Sequence, residues 1–154
     1  MIKTKTKLEE PEAKLTIKVY DREGNLIPEE CLDACVFTTV GKQQLGDLMR
    51  GDVAGKKISH LALGTDGTAP TPADTALYGE QFREAIDSTS RTGTAVKITT
   101  VVEYGEANGG GSVTYQEAGL FNDPTAGQMF VRANFPAKVK NSSVQWTLEF
   151  QIQF

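Results

Sequence analysis

His60 is the only imidazole in the chain, so a Ser-His-Asp or Cys-His nucleophile would have to use it. It falls in a predicted strand over 58–63, on the face opposite Leu61 and Leu63, and nothing around it resembles a nucleophile elbow. A strand histidine, hydrogen-bonded or facing water, accounts for it. Two carboxylate pairs, Glu80 with Glu84 and Glu103 with Glu106, have the residue types of glycoside hydrolysis, where one carboxyl works as acid and the other as base or nucleophile. Wet strand faces carry carboxylates at the same spacing. Asp66-Gly67 and Asn122-Asp123 offer oxygens to calcium but fall short of the ligand number of a calcium loop, and both match turn chemistry. Gly109-Gly110-Gly111 has neither the lysine nor the following helix of a phosphate loop, and reads as a hairpin tip.

Cys31 and Cys35 stand one residue too far apart for a redox C-x-x-C, and no second pair completes a zinc site. A helical turn over 28–34 would put both thiols on one face. Two reduced, part-buried cysteines are the plain reading, with a disulfide within or between chains or a labile metal site as remoter options. No catalytic residue, cofactor or metal ligand is assigned.

The elements that would position these groups are mostly strands. Residues 15–20 alternate up to the turn 21–25, and Leu26-Ile27 resume before Pro28, which reads as a hairpin or a strand and bend. Residues 35–40 are β-rich. The best helix is 42–50, with Leu45, Leu48 and Met49 at helical spacing and Gly51 as its C-cap. A short apolar strand then breaks at Gly64 into a long Thr/Gly/Pro loop that regains regularity near 74–77; loops of this length usually serve a purpose. Residues 76–86 are ambiguous, and a short turn followed by an extended segment to about Ser90 is expected. Strands are expected over 95–104, 113–121 and 129–135, the last ending at Pro136. Val144, Trp146, Leu148, Phe150, Ile152 and Phe154 alternate with polar residues, the pattern of a half-buried strand of fixed register. Six or seven strands, one short helix and closely spaced turns predict a mainly β protein, an antiparallel β-sandwich.

A length of 154 residues suits one domain, here 15–154 behind an N-terminal arm over 1–14, and such a domain buries about 68–70% of its unfolded surface without needing a metal or disulfide. The net charge of −4 argues against a nucleic-acid partner, which needs a basic face. Lys3, Lys5, Lys7 and Lys14 are interleaved with Glu9, Glu10 and Glu12, and the arm reads as a solvated tail that orders against a partner. No stretch has the length and apolarity of a membrane span, and residues 1–14 lack the apolar core of a signal peptide, so synthesis in a cytoplasm is expected.

Taken in order, GKQQLGDLMRG (41–51), ISHLALGTDGTAPTPADTAL (58–77), EQFREAI (80–86), QEAGLFND (116–123) and MFVRANFPAKVKNSSVQWTLEF (129–150) resemble small tail-associated structural proteins and fibre-attachment domains of tailed bacteriophages. IKVYDREGNLI (17–27) is similar to a strand-turn-strand opening met in such proteins, so the resemblance spans about 15–154. It implies a non-catalytic β-sandwich in a virion, made in the host bacterial cytoplasm, docking as several copies at a tail, collar or neck, or fibre junction. Its implied partners are tail, portal or neck, fibre or capsid subunits and further copies of itself. A capsid decoration protein is the alternative within assembly. A carbohydrate-binding module for host glycans, with Tyr20, Tyr78 and Tyr115 as its platform, is the alternative from another class. Contact is expected through Thr65, Asp66, Thr68 and Pro70 of the long loop, Asn108 of the glycine-rich tip, and Lys3, Lys5 and Lys7 of the arm.

Overall fold

The computed structural model describes residues 9–32 and 35–154, the side chains of 28–32 excepted. Lys3, Lys5 and Lys7 therefore lie outside the described residues, as does the side chain of Cys31. Among the described residues the chain forms ten strands and one helix: β1 (Glu12–Tyr20), β2 (Leu26–Leu32), β3 (Cys35–Phe37), α1 (Thr39–Met49), β4 (His60–Gly64), β5 (Glu80–Ala85), β6 (Ser88–Thr92), β7 (Ala95–Val102), β8 (Ser112–Phe121), β9 (Met129–Asn141) and β10 (Gln145–Gln153). They build two five-stranded antiparallel sheets, β2-β1-β10-β7-β6 and β3-β9-β8-β4-β5, so the expected β-sandwich is the observed fold. The strand number exceeds the six or seven expected because several apolar runs divide between the sheets.

The inner faces make one core. From the first sheet come Leu15, Ile17, Ile98, Val102, Trp146, Leu148, Phe150 and Ile152, and from the second Leu61, Leu63, Leu120, Val131 and Ala133. β10 is central in its sheet, paired with β1 and β7, and the alternation read from sequence holds from Trp146 to Ile152. Phe154 lies past the end of the strand and is exposed. β1 starts at Glu12, so residues 12–14, expected in the arm, pair with Gln153, Ile152 and Gln151 of β10.

Other expectations are corrected. Residues 26–32 form edge strand β2 rather than a helical turn; an edge tolerates Pro28, which has no N–H to donate. The segment 80–92 is two strands in different sheets, broken at Ile86-Asp87. β9 runs through Pro136, which sits where the register against β8 shifts between Tyr115↔Lys138 and Glu117↔Asn134, so the ladder asks no donor of it. The glycine-rich segment after β7 is no hairpin tip: β7 and β8 belong to different sheets, and the segment crosses between them.

α1 is capped at Thr38, whose hydroxyl accepts from the Gly41 N–H at 2.9 Å and donates to the Met129 carbonyl. It packs on β9 through Gly41, where a Cβ would stand 2.6 Å from the Phe130 Cα. Gly41, Gln44, Leu45 and Leu48 form the inward stripe; Met49, expected on it, falls one position outside and points to water.

Candidate functional site

β4 points Leu61 and Leu63 into the core and His60, Ala62 and Gly64 the other way, yet Ala62 and Gly64 are also buried. The cover is the 65–79 connection, which folds back over the outer face of the second sheet. Its Leu77 joins Ala62, Phe121 and Met129 in a second apolar cluster.

Beside that cluster lies Arg132 of β9, completely buried. Its Nε and Nη2 donate to Glu117 Oε2 at 2.9 and 2.8 Å, and its Nη1 donates to Asp74 Oδ2 at 3.2 Å. The guanidinium lies 4.3 Å from the centre of the Tyr78 ring. Glu117, from β8, also accepts the Gly79 N–H at 2.7 Å and the Tyr78 N–H at 3.2 Å. Asp74, from the loop, accepts the Tyr78 hydroxyl at 2.6 Å and the Thr71 N–H and hydroxyl at 2.9 Å each. Burial alone would raise the Asp74 carboxyl; the Tyr78 and Thr71 hydrogen bonds and the Arg132 charge outweigh it and hold the carboxyl below its ordinary value.

One guanidinium thus faces two carboxylates, and the second negative charge is met by N–H and O–H donors of the loop itself. Gly64 makes room for this clamp, since a Cβ there would stand 2.2 Å from Glu117 Oε1.

The clamp fixes the residues expected to make contacts. The Thr65 N–H donates to the Gly79 carbonyl, and the Thr65 carbonyl accepts from Gln116 Nε2. Asp66 Oδ1 accepts the Thr68 N–H at 2.8 Å, the turn chemistry expected of Asp66-Gly67. Thr65, Asp66 and Pro70 are half-buried, Thr68 is exposed, and the solvent-facing crest is 67–69 and 71–73. Asn108 is turned back on its own loop, its Oδ1 accepting the Gly110 N–H at 3.0 Å. Asn122-Asp123 is also a turn, in which Asp123 Oδ1 accepts the Thr125 and Ala126 N–H groups.

A second polar cluster sits on the core side of the same sheet, at the β5 edge. Glu84 stands opposite Leu61 in the ladder, facing inward, and its Oε1 is buried with no hydrogen-bond partner among the described residues. Desolvation, then the charges of Glu106, Asp87 and Glu103, push its carboxyl up to about 8. Lys140 Nζ ties the crossing segment down by donating to the carbonyls of Glu103 at 2.8 Å and Glu106 at 2.9 Å, and burial lowers its ammonium. The two carboxylate pairs read from sequence are therefore regrouped. Glu80 turns outward to a two-pronged bond with Arg83, while Glu84 joins Glu103 and Glu106.

His60 is half-buried with Nδ1 2.8 Å from Ser59 Oγ, the bonded strand histidine expected. The aromatic platform is not assembled. Tyr115 is buried edge-on against Trp146 with its hydroxyl on the Ala107 carbonyl, Tyr20 is half-buried, and one face of Tyr78 is covered by Arg132. Sequence reasoning missed Arg132, Glu117 and Asp74. The available signal was the continuous apolar run on both faces of LALG (61–64) and AGLF (118–121), which requires cover outside as well as inside.

No protein-family model, curated protein or solved structure matches the chain.

Proposed function

We propose that the protein is a non-catalytic structural component of a tailed-phage virion, docking in several copies at the tail, collar or neck, or fibre junction. The sequence resemblance over about 15–154 supplies the phage assignment. The observation that carries the structural role is the clamp: the longest connection in the fold is pinned flat by a buried Arg132–Glu117–Asp74 network. Every oxygen of those carboxylates that contacts the loop is engaged in holding it. A surface ordered before contact loses little entropy on docking, and repeated copies add by effective concentration. The crest 67–73 is then the docking face. The test is cryo-electron microscopy of purified particles from the phage that encodes the protein. Density for the sandwich at a repeated position, with the crest against a neighbouring subunit, is expected; absence of the protein from the particle overturns the reading.

A further inference from the structure

Helix α1 ends on Met49, the most exposed of the large apolar side chains among the described residues at 89%, with exposed Val53 just beyond it. Next to this knob a cleft of about 420 Å³ opens between α1 and the β5–β6 edge, walled by Leu45, Leu48, Ile58, Ile86, Ile98 and Phe130. Its rim carries two exposed charges, Lys57 and Asp87. The knob carries two as well: Arg50, 80% open, and Asp52, 58% open.

We infer that this surface is a two-fold contact between copies of the chain, in which Met49 of each copy enters the cleft of the other. Knob and cleft share a helix, Leu48 walling the cleft and Met49 forming the knob, so the rotation that seats one seats the other, as an isologous interface requires. A methionine thioether adapts to an irregular apolar wall, and its burial with the wall removes apolar surface from water on both sides. The charges complement in the same arrangement: Asp52 meets Lys57 across the axis, and Arg50 meets Asp87. None of this rests on the virion reading. A dimer absent from any particle would sink that reading alone; a virion protein with no such contact would sink this one alone.

Sedimentation velocity of the full chain tests it. A concentration-dependent dimer is expected, weakened about tenfold or more by Met49→Glu, which leaves the fold intact because the side chain is already in water. Asp52→Lys and Lys57→Asp should each weaken self-association, since each homodimer then opposes like charges twice. Mixing the two variants should restore a heterodimer, because both cross-axis pairs are again opposite in sign. A monomer at millimolar concentration, a dimer indifferent to Met49→Glu, or no recovery on mixing overturns the inference.

Discussion

The Arg132 clamp and the Glu84 cluster lie on opposite faces of one sheet and treat buried charge in opposite ways. In the clamp each ion is met by a counter-charge or a directed donor, and the loop supplies most of the donors. In the Glu84 cluster carboxylates gather round a carboxyl, and the nearby ammonium is spent on backbone carbonyls. The first arrangement holds a loop in one conformation across the neutral range. The second stores repulsion that a proton relieves. Order in the loop and sensitivity to pH are thus properties of two different sites, and they can be broken separately.

The largest effect should come from Arg132→Met. It leaves Glu117 and the nearly buried Asp74 facing each other without their cation, and breaking a buried network in this way costs about 3–5 kcal/mol. Urea denaturation should show that loss, and hydrogen exchange at Tyr78 and Gly79 should accelerate beyond the change in global stability as the loop lifts. Because the Asp74 carboxyl is held below its ordinary value, its share of wild-type stability is present above about pH 4 and is lost as pH falls through the lowered value. Equal protection of the loop in variant and parent would mean that Leu77 and its apolar neighbours, rather than the ions, hold it.

Gly64→Ala sharpens the point by keeping every charge. The new methyl would collide with the Glu117 carboxylate and force it off the Gly79 and Tyr78 N–H groups. Overpacking of this kind costs about 1–3 kcal/mol. A smaller loss than Arg132→Met, with the same loop exposed to exchange, is the expected result by the same two measurements.

What could be read from sequence follows which forces are local. β10 and β7 were legible because a strand with one wet face prints its period directly on the chain. The helix was legible for the same reason, though a shift of one position along its stripe decided that Met49 faces water. Pro136 misled because a missing N–H matters only where the ladder needs one, and the bulge there removes the need. The glycine-rich segment was taken for a hairpin because composition marks a turn without saying which sheet the chain enters next. Arg132 and Glu117 each look like ordinary polar residues of a strand. Their burial depends on a loop whose Asp74 is 58 residues from Arg132, and no periodicity carries that distance.

The smallest expected effect belongs to Glu84 and has a defined direction with pH. Its carboxyl ionises near an ordinary value of 4.5 in the unfolded chain and at about 8 in the folded one, so the folded state binds the extra proton between those limits. Stability from this group is complete below about pH 4.5, declines as pH rises toward 8, and is flat beyond. The full linkage value does not apply, because the carboxyl is only half-buried and water screens its neighbours; a loss of about 1–2 kcal/mol between pH 5 and 9 is expected. Glu84→Gln keeps the shape and removes the charge, so its stability should be level across that window and exceed the parent's at pH 9. Chemical denaturation at a series of pH values measures both curves. Parallel curves would show that Glu106, Glu103 and Asp87 carry the pH dependence among themselves, while a level parent would show that Lys140 already neutralises the ionised carboxyl.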